Sequence, residues 1–183
     1  MRTFVAVDVS SAGLISIRED LLSTEGWNWN DIKPIELHNI HFTLMFIGEL
    51  SDIQLAKTKE KLSGLIFEPF SITYKGIGAF PSPRSARVIW VGVDNNGGQK
   101  LTALANNVVS KLAELGLRAD KPFSPHVTLL RAKRASLKFD KTLAKYQNMT
   151  FGSDQIDKVH LKKSELTSSG PIYSNIYTIQ AHN

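Results

Sequence analysis

The sequence repeats one short pattern in which a histidine is followed two positions later by a threonine. His41 precedes Thr43 and His126 precedes Thr128, 85 residues further along, and each copy continues with a leucine. In a strand, side chains two positions apart lie on the same face, so each copy presents an imidazole and a hydroxyl together. Because the pattern recurs, we interpret it as a degenerate internal duplication that presents two imidazoles and two hydroxyls to one ligand.

Two imidazoles and two hydroxyls are suited to in-line displacement at phosphorus. Imidazole titrates near pH 6.5, so a pair can hold one neutral and one protonated ring at physiological pH. The neutral ring would deprotonate water, and the protonated ring would protonate the departing alkoxide. The hydroxyls of Thr43 and Thr128 would donate to the non-bridging oxygens, where negative charge concentrates.

Other catalytic centres have less support. The chain has no cysteine, which excludes a disulfide scaffold, a Cys-ligated metal and a thiol nucleophile. It has no His-Glu-x-x-His pattern, and two histidines alone leave a tetrahedral metal site underfilled. It also lacks the Gly-x-Ser-x-Gly elbow of a serine hydrolase. The sequence therefore predicts no metal and no cofactor.

Seven strands and four helices are predicted to position these residues. Strand patterns occur at residues 3–9, 40–47, 70–75, 87–93, 126–131, 155–163 and 173–181. Helical patterns occur at residues 11–22, 51–65, 101–115 and 137–147, with a capping box at Ser51 and Gln54 and a stop at Gly116. Short links between neighbouring strands favour antiparallel pairing, so we expect an α+β fold with mainly antiparallel sheets.

Alternation along the first motif strand predicts which side chains lie in the core. Ile40, Phe42, Leu44 and Phe46 share one face, which is wholly apolar, and this leaves His41 on the polar face. Strict alternation in the second copy puts Arg131 on the face opposite His126. Arg131 would reach the same ligand only if the strand twists, bulges or ends there.

Composition sets the broad class. The 183 residues carry a formal net charge of +5, 42% are hydrophobic and 21% are charged, which is typical of one folded globular domain spanning residues 1–183. The mildly basic balance favours phosphate-bearing partners. The sequence has no run of 18 apolar residues and no secretory leader pattern, so we expect a cytoplasmic protein without membrane contact, and a monomer.

The two strands resemble the paired motifs of the two-histidine phosphoesterase superfamily. Within it, the chain resembles the RNA 2′,3′-cyclic phosphodiesterases, also called 2′-5′ RNA ligase-like proteins. The residues that carry the resemblance lie at 2–7, 41–48, 87–93, 126–131, 164–166 and 170–173.

The resemblance implies a two-lobed fold with pseudo-twofold symmetry, a sheet in each lobe, outer helices and a central cleft. It implies hydrolysis of a terminal 2′,3′-cyclic phosphate of RNA, or of a cyclic nucleotide, to a 2′-phosphate. Matched position by position, His41 would be the acid toward the leaving oxygen and His126 the base toward water. Thr43, Thr128 and the trailing Arg131 would bind the phosphate.

Further residues are candidates for RNA contact. Phe123, in the loop before the second motif, is the first choice to stack a terminal base, ahead of Trp27 and Trp29. We interpret Tyr173 as part of a turn into the last strand and His160 as an ordinary surface or boundary histidine. A basic rim for the RNA backbone is expected from Arg84, Arg87, Lys133 and Arg134.

Two alternative functions remain open from the sequence. One is a non-catalytic module that binds an RNA end or a nucleotide in the same cleft. The other is the same chemistry on 2′-5′ oligonucleotides or small cyclic phosphates. Retention of both histidines favours catalysis, because binding alone needs no titratable pair.

Overall fold

The computed structural model describes residues 1–23, 29–168 and 170–182. Within these residues it contains nine strands and four α-helices. The strands are β1 Arg2–Asp8, β2 Ile32–Pro34, β3 His41–Glu49, β4 Phe70–Phe80, β5 Val88–Val93, β6 Val127–Ala132, β7 Thr150–Ile156, β8 Lys158–Thr167 and β9 Gly170–Gln180. The helices are α1 Ala12–Leu22, α2 Asp52–Ser63, α3 Asn95–Ala113 and α4 Asp140–Tyr146.

The strands form two antiparallel sheets. The first sheet has the order β3-β1-β8-β9 and the second has the order β2-β6-β5-β4-β7. Every neighbouring pair of strands in both sheets is antiparallel. The predicted α+β class with mainly antiparallel sheets is therefore confirmed, and each motif strand belongs to a different sheet.

Local signals in the sequence account for the helix ends. The Ser51 hydroxyl accepts from the Gln54 amide while the Gln54 side chain accepts from the Ser51 amide, which is the predicted capping box at the start of α2. Asp94 caps α3 through the Gly97 amide. After α3 the chain turns at Gly116, whose φ of 76° favours glycine.

Each sheet buries one face in a continuous hydrophobic core. The first sheet contributes Phe42 and Leu161, the second contributes Ile89 and Val91, and α3 contributes Leu104 among others. The helices cover these faces, with α1 packed on β7 and α3 packed on β3 and β4. β3 and β6 contact each other, and we refer to the region along their faces opposite the core as the cleft.

The predicted strand at residues 155–163 is wrong, because two strands meet there. β7 ends at Ile156 and pairs with β4 in the second sheet, whereas β8 begins at Lys158 and pairs with β1 in the first. The chain crosses between sheets at Asp157, and alternation along the sequence does not reveal that the pairing partner has changed. The short edge strand β2 was also not predicted.

Gly13 is essential to the packing of α1 on the second sheet. A β-carbon at this position would lie 1.6 Å from the backbone oxygen of Phe151 in β7. We expect Gly13→Ala to lower the free energy of unfolding by about 1–3 kcal/mol or more, because backbone must move to relieve the overlap. Urea denaturation measures this change.

Gly64→Ala is the matched control, since its β-carbon would come no closer than 3.4 Å to the flexible end of Lys111. It should change the free energy of unfolding by no more than about 1 kcal/mol. Equal destabilisation by the two substitutions would contradict the packing described for α1.

Candidate active site

The two histidine–threonine motifs lie on β3 and at the start of β6, strands of different sheets that contact each other. His41 begins β3, which also carries Thr43, while His126 immediately precedes β6, which carries Thr128. All four side chains are partly exposed, whereas the intervening Phe42 and Val127 are fully buried. The imidazole–hydroxyl pairs therefore lie on the cleft side of their strands, opposite the core.

Both imidazoles are oriented by the same backbone contact. His41 Nδ1 lies 2.6 Å from the carbonyl oxygen of Asn39, and His126 Nδ1 lies 2.8 Å from that of Ser124. A carbonyl oxygen only accepts, so Nδ1 carries the hydrogen in both rings. This arrangement leaves Nε2 of each ring available for proton transfer.

The two copies differ at Nε2. His41 Nε2 lies 3.0 Å from the hydroxyl oxygen of Thr43, which donates to the neutral ring. No such bond is found between His126 and Thr128 among the hydrogen bonds of the described residues. The first hydroxyl is thus directed at its own imidazole, whereas the second is not.

Aromatic rings pack against both imidazoles. The centroid of the His41 ring lies 5.1 Å from that of Phe4 and 5.3 Å from that of Tyr173, which it meets edge-on. The centroid of the His126 ring lies 5.1 Å from that of Phe80 and 5.7 Å from that of Trp90. These contacts hold each ring in place and remove much of it from water.

Burial lowers the pKa of both histidines. Loss of hydration disfavours the imidazolium and lowers the pKa of His41 to about 4, despite the Asn39 carbonyl, which favours the charged form. The same desolvation lowers the pKa of His126, opposed by the Ser124 carbonyl. Arg131 lowers the pKa of both rings further, so its guanidinium acts on both halves of the cleft. Both imidazoles are therefore neutral at pH 7 in the free protein.

A β-bulge follows the threonine of the first motif. Ala6 of β1 pairs with Thr43 and Val5 pairs with Met45, so Leu44 is an extra residue on β3. Met45 is consequently buried, with 2% exposure, and Phe46 is 53% exposed. The prediction that Phe46 faces the core is wrong, because it assumed uninterrupted alternation.

An equivalent bulge follows the threonine of the second motif. Trp90 of β5 pairs with Thr128 and Ile89 pairs with Leu130, which leaves Leu129 as the extra residue on β6. Leu129 and Leu130 are both fully buried, and Arg131 is exposed. Because of this bulge, Arg131 lies on the same face of the strand as His126, which strict alternation would not allow.

A cavity of about 510 Å³ adjoins His41 at one end of the first sheet. Its aromatic lining consists of Phe4, Phe46 and Tyr173, and the first and last of these also contact the His41 ring. Its volume is within the range of about 300–1,000 Å³ that is typical of small-molecule sites. Sequence reasoning missed these three residues because no local pattern connects Phe4 or Tyr173 with the motif.

An ion pair between a buried lysine and an exposed aspartate lies beside His41. Lys162 of β8 is only 5% exposed, and its ammonium lies 2.8 and 3.0 Å from the two carboxylate oxygens of Asp8. His160, expected at the surface or its boundary, is only 7% exposed; its Nδ1 bonds the Thr178 hydroxyl, and its Nε2 lies 3.6 Å from Asp8. This pair acts on His41 in both directions, since Lys162 lowers its pKa and Asp8 raises it.

The other candidates for RNA contact lie in different places. Phe123 is partly buried and packs against the hydrophobic core, which reduces the surface it can offer to a base. Trp27 lies outside the described residues, and only the backbone of Trp29 is described. The four arginine and lysine residues of the expected rim are all exposed, namely Arg84, Arg87, Lys133 and Arg134.

Residues 1–23, 29–168 and 170–182 contain no group of three or more His, Cys, Asp or Glu side chains arranged to hold a metal ion. They also form no helix that is both long enough and apolar enough to cross a membrane.

Comparison with known proteins gives consistent matches along the chain. The family model of the AKAP7 2'5' RNA ligase-like domain matches residues 14–180. An RNA 2′,3′-cyclic phosphodiesterase of Archaeoglobus fulgidus is 42% identical over 176 residues, which cover 96% of this chain and 98% of that protein. A protein of the same name from Methanothermobacter thermautotrophicus is 32% identical over 183 residues and covers 96% of each chain.

Solved structures share the fold. A crystal structure from Thermus thermophilus superposes with a TM-score of 0.74 at 26% identity and covers 98% of this chain and 97% of that one. Escherichia coli LigT complexed with 3′-AMP superposes with a TM-score of 0.75 at 24% identity and covers 100% of this chain and 98% of that one. These similarities confirm the expected two-sheet α+β architecture.

The electrostatic environment of His41 can be tested by NMR titration of the imidazole nitrogens. In the free protein, His41 should remain neutral, with hydrogen on Nδ1, until the pH approaches its pKa of about 4. Lys162→Met should raise that pKa, because it removes a nearby cation and leaves the Asp8 carboxylate without its partner.

Lys163→Met is the control, since Lys163 instead pairs with Glu165 and does not influence His41. An unchanged His41 pKa in Lys162→Met, or an equal rise in both variants, would contradict the proximity described here.

Proposed function

The chain belongs to the 2′-5′ RNA ligase-like family, and we propose that it is an RNA 2′,3′-cyclic phosphodiesterase, a hydrolase that opens the cyclic phosphate to a 2′-phosphate. The observation that carries this proposal is the pair of imidazoles, each held through Nδ1 by a backbone carbonyl, with Nε2 free of the backbone, and each within reach of the Arg131 charge. We propose further that the reaction needs no metal ion and that the two imidazoles act as acid and base.

In the proposed reaction, the cyclic phosphate lies between the two imidazoles. His126 Nε2 removes a proton from water as the water oxygen bonds to phosphorus. The bond from phosphorus to the 3′ oxygen breaks on the opposite side, and protonated His41 Nε2 transfers its proton to that oxygen. The products are a 2′-phosphate and a 3′-hydroxyl. The acid and base order follows the family resemblance.

Substrate binding allows His41 to take up from solvent the proton that this scheme requires. His41 is neutral in the free protein at pH 7, so it cannot act as an acid until it is protonated. An anionic phosphate beside Nε2 favours the imidazolium, which raises the pKa of His41 on binding. Proton uptake therefore accompanies substrate binding.

Three further side chains are proposed to hold the phosphate. The hydroxyls of Thr43 and Thr128 donate to its non-bridging oxygens, for which Thr43 exchanges its bond to His41 for one to the substrate. The Arg131 guanidinium, which faces the cleft beyond the second bulge, adds positive charge where negative charge develops. The cavity lined by Phe46 and Tyr173 is proposed to accept the terminal base in preference to Phe123, because aromatic walls suit stacking.

The bond that breaks tests the proposed reaction. RNA with a 2′,3′-cyclic phosphate end should yield a 2′-phosphate in the presence of excess EDTA, as measured by phosphorus NMR against 2′- and 3′-phosphate standards. A predominant 3′-phosphate would reverse the acid and base assignments. Activity lost to EDTA and restored by a divalent metal would refute metal independence, and RNA binding without any product would favour the binding module.

The two histidines should act as a unit. His41→Ala and His126→Ala should each lower kcat by about 10²- to 10⁴-fold, the usual contribution of a general acid or base. The double variant should lose less than the product of the two single losses, because both groups serve the same displacement. His182→Ala, at an exposed histidine that follows β9, is the matched control and should retain the wild-type kcat. More than about a tenth of wild-type kcat in either single variant would exclude that histidine from the chemistry.

A further inference from the structure

The edge strand β2 places a lysine directly opposite Arg131. Lys33 pairs with Arg131 in the antiparallel register of β2 and β6. Residues opposite each other in such a pair share a face, with β-carbons about 4.5–5.5 Å apart. Their neighbours along the chain, Ile32 in β2 and Leu130 in β6, are buried in the core, whereas Lys33 and Arg131 are exposed. The two cations therefore lie side by side on the cleft face.

Lys33 also extends toward the other sheet. A β-carbon on Gly170, the first residue of β9, would lie 2.9 Å from Lys33 Nζ. The next residue, Pro171, accepts a hydrogen bond from the Asn39 side chain, and the Asn39 carbonyl orients His41. Lys33 Nζ therefore lies at the start of β9, where Pro171 and Asn39 connect this strand to His41, the proposed acid.

A phosphate bound beside both Lys33 and Arg131 would form charge-assisted hydrogen bonds with both cations. Arg131 lies close enough to both histidines to lower their pKa, and Lys33 lies on the adjacent strand β2, at the edge of the sheet. Of the two cations, Arg131 is therefore next to the proposed site of the cyclic phosphate, and Lys33 is next to Arg131 on the side of the sheet edge.

We propose that Lys33 and Arg131 form a subsite for the phosphate on the 5′ side of the terminal nucleotide, so that the protein selects RNA chains over cyclic mononucleotides. This inference rests on the proposed function, which puts the cyclic phosphate between His41 and His126. An RNA chain carries its next phosphate one nucleotide away, whereas a cyclic nucleoside phosphate has none. Arg131 contributes to both phosphates, and Lys33 is specific to the second.

The smallest substrates that test this subsite are adenosine 2′,3′-cyclic phosphate and the same compound with a 5′-phosphate. In the wild-type protein the 5′-phosphate should raise kcat/KM by about 10- to 100-fold, the value of one hydrogen bond to a charged group. Lys33→Met should remove most of this advantage and leave only the part that Arg131 contributes, whereas Lys33→Arg should largely preserve the ratio. Because each variant is judged by its ratio, a general effect on turnover cancels.

Lys57→Met is the control, since Lys57 is an exposed lysine on α2, outside the cleft. It should leave the ratio at its wild-type value. A wild-type ratio near one, or a ratio that Lys33→Met leaves unchanged, would overturn the subsite. If Lys33 bound the cyclic phosphate itself, Lys33→Met would lower kcat/KM equally for both substrates. The ratio would then stay unchanged, and the subsite would be overturned.

Binding separates failure of the subsite from failure of the proposed function. Calorimetry with adenosine 2′-phosphate and adenosine 2′,5′-bisphosphate measures the same contact without turnover. If no cyclic substrate is hydrolysed, the proposed reaction fails. The subsite still stands if the bisphosphate binds at least about tenfold tighter and Lys33→Met removes most of that advantage, and it falls if the two affinities are equal.

Discussion

The bulges that follow the two motif threonines, with Leu44 as the extra residue in β3 and Leu129 in β6, determine which side chains reach the cleft. Each leucine is buried together with the residue after it, and burial of such a side chain is worth roughly 1.5–3 kcal/mol. The core therefore stabilises the bulge, and the bulge turns the following side chain outward. Phe46 and Arg131 face the cleft for this reason.

The two bulges are equivalent, but the residues that they expose are not. Phe46 adds an aromatic surface to the cavity beside His41, whereas Arg131 adds a cation that acts on both imidazoles. The same bulge therefore exposes an aromatic ring, which suits stacking, on β3 and a cation, which suits an anion, on β6. The antiparallel register then places Lys33 next to Arg131 and extends the positive charge along the sheet edge.

Burial and backbone contacts together set the state of the two imidazoles. The Asn39 and Ser124 carbonyls direct each Nε2 away from the backbone, while aromatic neighbours exclude water and keep both rings neutral. Nearby cations reinforce neutrality and at the same time attract an anion. In the reaction proposed above, the cleft would take up a proton together with its anionic ligand, so that His41 becomes charged when a phosphate is there to compensate for the charge.

The sequence by itself determined the α+β class, most strands and helices, and the paired motif, because hydrophobic alternation, capping residues and a repeated pattern are local signals. The tertiary structure alone decided three things. It separated β7 from β8, which pair in different sheets; it exposed Phe46 and Arg131; and it brought Tyr173 against His41. Each of these outcomes depends on which strands pair and in what register. A bulge has an extra residue only in relation to its partner strand, and no local pattern in the sequence specifies that partner.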